Sequence, residues 1–336
     1  MTRKAAAAQV PTPFDAQRTL RRLRMRHLEL LSLLGTEHTV RAAAQRMALT
    51  QPALSKMLRE LEDCFGTPLF LRSHSGVLPT AAGRHLTAYA TAMLNGLTAI
   101  GNDVQRIAGG EAVRLRLGTF SVIPCVPRAI ARLTQRAPGT TVRLQEGHGS
   151  ALLSALAAGE IDCLVAALPP ELLQAADVDL LRIETLYEDE LCVVAAAAHP
   201  LARARQLRWD QLAGLRWALP PQESLLRRGV IDMHLRAGIV APSPVAEMMS
   251  PVLLTQLLEH DPALLSVMRL EQWHAERRGG RIRRLNVLPA SALPPMSFIT
   301  LRQPGPRQAV IEALRDALKA ETPPGRVRRR SRRTSA

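Results

Sequence analysis

Residues 39–61, TVRAAAQRMALTQPALSKMLREL, constrain the fold of this chain more than any other stretch. They read as two short helices joined by a tight turn. Thr39 and Thr50 are the expected N-caps, since a threonine hydroxyl accepts from a first-turn N–H that lacks a partner inside the helix. Pro52 falls in the first turn of the second helix, where a missing N–H costs nothing. The alanine-rich stretch from Arg41 to Met47 leaves room for a close helix crossing. Leu54, Leu58, Leu61 and Phe65 recur at the spacing of one buried helical stripe. The other side carries Gln51, Ser55, Lys56 and Arg59. These amide, hydroxyl and cationic groups are the types that pair with base edges and phosphates in a DNA major groove.

An isolated amphipathic helix carries such a face simply because water wets it, but the neighbouring residues add context. Arg24 to Leu34 reads as a preceding helix with Leu28, Leu31 and Leu34 on one side. After the second helix, GTPLFLRSHSGVLPTAAG gives a short apolar segment, a polar turn at Ser73 to Gly76, and a return. That is a helix-turn-helix followed by a wing. Thr50, Gln51, Pro52, Ala53, Leu54, Ser55 and Lys56 stand in one run, followed in order by Leu61-Glu62, Pro68-Leu69-Phe70, Arg72 and the Thr80 to Gly83 element. With these motifs, residues 23–83 resemble the DNA-binding domain of the LysR family of bacterial transcriptional regulators. Leu71 departs from the pattern, standing where the family often has an acidic or polar residue. The resemblance implies a DNA-binding set of Thr50, Gln51, Pro52, Ser55, Lys56, Arg59 and Arg72.

Charge is placed unevenly. The chain of 336 residues, long enough for two or three domains, carries a formal charge of +15. Residues 1–84 hold 13 lysines and arginines against 6 acids, and residues 85–322 hold 25 against 23. The last fourteen residues hold 6 arginines and no acid. A basic helix-turn-helix end attached to a nearly neutral body suits a polyanion reader joined to a part with another task. Residues 1–22 read as a flexible N-terminal arm and 322–336 as a disordered basic tail, either an added DNA contact or a solvated end. No apolar run approaches 18 residues, and the longest, near Leu191 to Ala198, stops at His199-Pro200, so a membrane span is not expected. A four-alanine stretch is too short for a signal-peptide core. A cytoplasmic protein, nucleoid-associated when on DNA, is expected. Its four cysteines, Cys64, Cys125, Cys163 and Cys192, have no CxxC pair and are expected as reduced thiols. Nothing in their spacing argues for redox sensing by Cys125 or Cys192. No metal and no cofactor are expected.

Thr80 reads as the N-cap of a long helix running to about Ala108. Leu86, Met93, Ile100 and Ile107 recur every seven residues, with Ala90, Leu97 and Val104 four residues after the first three. A sustained seven-residue period favours a coiled-coil seam through Leu86, Ala90, Met93, Leu97, Ile100 and Val104, although packing on the chain's own body gives a similar stripe. The family resemblance points the same way, because LysR-type regulators dimerise through this helix. Gly109-Gly110 marks a hinge, so residues 84–110 form a linker. From Val113 strands and helices alternate, which predicts parallel sheet with ligand sites at the carboxyl ends of strands. Pro138, Ala158 to Asp162 and His199-Pro200-Leu201 are family-like landmarks. The resemblance implies a two-lobed α/β effector domain, similar to periplasmic solute-binding proteins, over 111–321. Lobe one would hold 111–186 and 287–321, and lobe two 187–286. The fold class is therefore multidomain: an all-α winged helix-turn-helix, a linker helix, and this two-lobed domain.

A cleft between lobes is expected to be walled by Thr119, Phe120, Ser121, Gly149, Ser150, Gln222, Ser224 and Met248, with Met249 nearby and Glu247 the nearest acid in sequence. Ser121, Ser150 and Ser224 would each begin a helix, where free N–H groups suit a carboxylate, or they would be ordinary caps. The rival reading is an α/β hydrolase-like enzyme fused to a DNA-binding module. Gly147-His148-Gly149-Ser150 is not G-x-S-x-G, and no Walker loop, GxGxxG or HExxH occurs. The sequence therefore predicts a ligand-responsive regulator without catalysis. Its expected partners are double-stranded promoter DNA, a small-molecule effector such as a carboxylate, further copies of itself as homodimer or homotetramer, and RNA polymerase, but no membrane.

Overall fold

The computed structural model describes residues 16–37, 39–73, 76–109, 114–120, 123–175, 178–302 and 307–322. The chain forms two compact units, one from the amino-terminal part through Gly110 and one built from most of the residues after it. The expected hinge residue Gly110 and the arginine-rich tail beyond Thr322 lie outside the described residues.

The first unit runs α1 (Ala16–Arg22), α2 (Met25–Glu37), α3 (Val40–Arg46), α4 (Gln51–Phe65), β1 (Phe70–Ser73), β2 (Gly76–Pro79) and α5 (Ala81–Ala108). The two threonine caps act as expected: Thr39 Oγ1 accepts from Ala42 N at 3.2 Å and Thr50 Oγ1 from Ala53 N at 3.4 Å. Between them Ala48 adopts φ 53°, a left-handed conformation that costs a residue with a Cβ on the order of 1 kcal/mol. Leu28, Leu30, Leu31 and Leu34 from α2 meet Ala43 and Ala44 from α3 and Leu54, Leu58 and Leu61 from α4 in one core. Leu69, Phe70 and Val77 bring the wing onto it. Glu62 ties helix to wing, its Oε1 accepting from Leu69 N at 2.8 Å and Phe70 N at 3.2 Å. This part differs from expectation in two places. Residues 16–22 are not a loose arm but a helix on α4, where the Thr19 hydroxyl donates to Cys64 O at 3.3 Å. On α5, Ala90 is buried in this unit's own core and Leu86 packs against it, so neither has its surface free for a partner helix. Met93, Leu97, Ile100 and Val104 are exposed.

The second unit continues with β3 (Arg114–Thr119), α6 (Cys125–Arg136), β4 (Thr141–Glu146), α7 (Gly149–Ala157), β5 (Cys163–Ala166) and α8 (Pro170–Ala175). Then come β6 (Leu181–Ala196), β7 (Leu207–Arg208), β8 (Arg216–Leu219), α9 (Leu225–Arg236), β9 (Ala246–Glu247) and α10 (Pro251–His260). The last described elements are β10 (Leu264–Arg269), α11 (Leu270–Glu276), β11 (Ile282–Arg284), β12 (Val287–Leu288), β13 (Ser291–Leu301) and α12 (Gln308–Glu321). The main sheet has the order β4-β3-β5-β13-β6-β10-β8-β9, with β11 also on β6. Strands β3, β4 and β5 are parallel, as the alternating pattern predicts. The sheet as a whole is mixed, because β13 runs antiparallel to both β5 and β6.

Two long strands join the lobes. The first half of β6 pairs with β13, and its second half pairs with β10 and β11. The β6–β13 register shifts between Leu293 and Met296 and again at Ser297, at the Pro294-Pro295 pair. A proline without an N–H cannot hold a ladder bond, so the ladder breaks where the chain passes between lobes. The return to lobe one therefore comes later than residue 287: Val287 still pairs with Leu207, and Leu293 packs in the second lobe's core. Lobe one has cores on both faces of its sheet, and α12 closes one of them with Ile311, Leu314 and Leu318. Asp162 anchors that helix. Its carboxylate accepts from Arg116 Nη2 at 2.6 Å and Arg307 Nη1 at 2.9 Å.

Candidate DNA-reading face and effector cavity

On α4 the leucine stripe faces the core, which leaves Thr50, Gln51, Pro52, Lys56 and Arg59 exposed and Ser55 half-buried. Their local bonds are weak and replaceable. Lys56 Nζ is 3.9 Å from Glu60 Oε1, an exposed i,i+4 pair worth only a few tenths of a kcal/mol by rule of thumb. Arg59 Nε donates to Ser55 O at 3.3 Å. The helix thus presents amide and cationic groups with little to give up on meeting phosphates and bases. The backbone of Arg72 lies in β1, but its side chain is outside the described residues.

The second unit holds a cavity of about 520 Å³ between the lobes. Of the expected wall, Phe120, Gly149, Ser150, Ser224 and Met248 line it, with Met249 beside them. Thr119 does not, being buried at the end of β3. Gln222 does not either: the turn ahead of α9 puts Glu223 on the wall and leaves Gln222 exposed. Ser121 lies outside the described residues, and the helix expected to start there begins at Cys125, with Pro124 at its cap position. The acids on the wall are Glu171 and Glu223, not Glu247.

The helix starts do converge. Gly149 and Ser150 open α7, Ser224 caps α9 by accepting from Arg227 N at 3.1 Å, and Ser250 caps α10 by accepting from Leu253 N at 3.4 Å. All three places line the cavity. Arg228, Arg269 and Gln272 also line it, and sequence reasoning did not find them. Arg269 ends β10, and the carboxyl ends of strands are where an α/β site is sought. The signal was lost with the unrecognised strand.

Arg269 and its partner Asp189 are both buried. Arg269 Nη1 donates to Asp189 Oδ2, and Asp189 Oδ1 accepts from Glu190 N at 2.9 Å. The Arg269 guanidinium carbon sits 4.8 Å from the centroid of the Phe120 ring, in cation–π range. Nearby, burial pushes the Glu271 carboxyl above its ordinary value. The same cause pushes the Cys125 thiol up to about 11 and the Cys192 thiol to about 12. Thiolates, the reactive form, are therefore scarce at both sites at neutral pH. Among the described residues no three His, Cys, Asp or Glu side chains group as metal ligands, and no helix is long and apolar enough to cross a membrane.

Residues 25–84 match the bacterial regulatory helix-turn-helix domain of the lysR family, and residues 108–323 match the LysR substrate binding domain. A winged helix-turn-helix joined to such a domain defines a ligand-responsive, DNA-binding transcriptional regulator. The chain is 30% identical to the HTH-type transcriptional regulator GbpR of Azospirillum brasilense, over 75% of this chain and 73% of that one. It is 29% identical to GbpR of Rhizobium radiobacter, over 72% and 80% respectively. The chain belongs to the LysR family, whose members regulate transcription and are not enzymes. Among solved structures it shares its fold with a full-length OxyR variant from Pseudomonas aeruginosa, at a TM-score of 0.55 and 23% identity over 88% of this chain and 97% of the other. An OxyR mutant from Corynebacterium glutamicum matches at 0.53 and 21% identity, over 89% and 91%.

Proposed function

We propose that this regulator reads promoter DNA with Gln51, Ser55 and Lys56 of α4 against base edges or adjacent phosphates, while Thr50, Arg59 and Arg72 hold the backbone. Copies of the chain pair through the exposed face Met93, Leu97, Ile100 and Val104, whose i, i+4, i+7 spacing leaves one apolar stripe on α5 without cover from its own unit. A small organic carboxylate occupies the cavity between the lobes, is bound and not turned over, and shifts the population of lobe arrangements. That change alters how the paired chains sit on DNA in the cytoplasm and how RNA polymerase is met at the promoter. The observation that carries this reading is the cavity itself. It lies within the range of about 300–1,000 Å³ for small-molecule sites, is mostly apolar, and gathers three helix starts and two arginines.

Two measurements test it. Gln51→Ala and Lys56→Ala are compared on a promoter fragment selected by the protein and on random duplex at two salt concentrations. Loss of a base contact costs about 1–3 kcal/mol on the selected site only, whereas loss of a phosphate contact lowers the log–log salt slope by about 0.9 on both. Unchanged affinity in both variants would reject this orientation of α4. A thermal-shift screen of small organic acids on the wild type and on Ser150→Leu then tests the cavity, which is wrong if every hit stabilises the variant equally.

A further inference from the structure

We infer that Arg269 reads the negative charge of the effector and passes it to the strands that join the lobes. The inference rests on the cavity being the effector site and names the group within it that selects the ligand class. The effector is then a monocarboxylate with an apolar body: its carboxylate lies against the Arg269 guanidinium, and its body lies among Phe120, Leu172, Met248, Leu254 and Met268.

Three observations meet at this residue. Arg269 lines the cavity and is itself almost wholly buried, with 6% of its side chain exposed. Asp189 offsets its charge, but so far out of water its remaining donors are screened less than those of Arg228, which is exposed on the same wall. Its guanidinium is only partly used. Nη1 donates to Asp189, whereas Nε and Nη2 make no hydrogen bond among the described residues, so part of the donor fork stays available to a carboxylate. Position is the third observation. Arg269 comes from lobe two, its guanidinium lies by the lobe-one ring of Phe120, and its acid partner Asp189 stands on β6 opposite Leu293, where the β6–β13 ladder begins to slip. A carboxylate that draws on the guanidinium therefore competes with Asp189 and Phe120 together. The link from ligand charge to lobe geometry is a single side chain. Glu171 and Glu223, also on the wall, repel a second negative group, which is why one carboxylate is favoured over a dianion.

The test uses the full chain, with phenylacetate and its uncharged isostere phenylacetamide as probes in calorimetric titration. Wild type is expected to bind the acid about tenfold or more tightly than the amide, the usual gain for a charge-assisted hydrogen bond. Arg269→Gln is expected to bind the two alike, and Arg269→Lys to keep part of the preference. Arg269→Gln leaves Asp189 buried without its cation, so the double variant Arg269→Gln with Asp189→Asn, a neutral pair, is measured beside it. In the wild type the acid, but not the amide, is expected to change backbone hydrogen exchange across residues 291–297. If the acid preference persists in the double variant, or if wild type binds the amide as tightly as the acid, the inference is overturned while the cavity reading stands. If neither probe binds the wild type, the inference falls with its ligand class, and the organic-acid screen on Ser150→Leu decides the cavity reading separately.

Discussion

Substituting Gly83 tests how the helix-turn-helix unit is assembled, because the simplest rule gives the opposite sign. Gly83 is the third residue of α5, and replacing a helical glycine by alanine normally stabilises by about 1 kcal/mol. Here an added Cβ would lie 1.9 Å from the Leu69 carbonyl oxygen and 2.9 Å from its carbon, and neither is a flexible side-chain end that can swing away. Backbone must move, a strain on the order of 1–3 kcal/mol. The same carbonyl accepts from Thr80 N at 2.9 Å and shares the single Thr80 hydroxyl proton with Pro68 O, at 3.2 Å against 3.0 Å, so displacing it puts one bond worth about 1 kcal/mol and part of a second at risk. Set against the helix gain, the net loss is about 1.5–3.5 kcal/mol. Native-state hydrogen exchange isolates this unit from the larger one. Amides of Leu54 to Leu61 should exchange roughly tenfold to several-hundred-fold faster in Gly83→Ala. Gly101→Ala, in the same helix with open space around it, should leave them unchanged or slower. An alanine at 83 that protects α4 as well as wild type does would refute the close-approach argument.

Leu97→Glu should place a charge in the uncovered stripe of α5 and give a smaller species by light scattering; an unchanged assembly would move the pairing surface elsewhere. Asp162→Ala should remove the carboxylate shared by Arg116 and Arg307, both mostly buried, and cost about 3–5 kcal/mol by chemical denaturation. A loss under about 1 kcal/mol would mean that water or other acids replace it. His234 is packed edge-on between Trp209 and Trp217, donates from Nδ1 to Val230 O at 2.8 Å, and has its pKa lowered by burial. Above about pH 6.5 both folded and unfolded forms are neutral there. As pH falls through 6.5 the unfolded chain takes up the proton first, so stability drops until the lowered folded value is passed. His234→Gln should flatten the fall of melting temperature between pH 7 and 5, and an unchanged slope would assign the loss to His27 and His199, which burial shifts the same way.

The amino-terminal unit was legible because its signals are local. Thr39 and Thr50 bond to residues three positions on, the Leu54 to Leu61 stripe lies within one helix, and the wing pairs residues at most nine apart. The seven-residue period of the linker predicts one seam, yet its first positions, Leu86 and Ala90, belong to the chain's own core. A periodic pattern records that a face is covered without recording by what. The effector site was half legible. Helix starts at Ser224 and near Ser150 follow from local chemistry, whereas Arg269 gains its role from Asp189, eighty residues earlier. Strand β6 escaped notice because its burial alternates irregularly along lobe one and then becomes continuous in lobe two, so no single period describes it.

The order in which the core of the larger unit is supplied bears on how the protein comes into being. Lobe one joins Leu115 and Leu117, from its first strand, to Ile311, Leu314 and Leu318, from its last helix. The helix-turn-helix unit draws its core from residues no later than Ala90, with Leu94 packed against it. Translation at about 5–20 residues per second spends roughly 10–40 s between the end of α5 and the end of α12. Throughout that interval the ribosome carries a chain whose DNA reader has all its core residues and whose sensor does not. Each new molecule therefore has the core of its DNA reader in hand before the core of its ligand sensor.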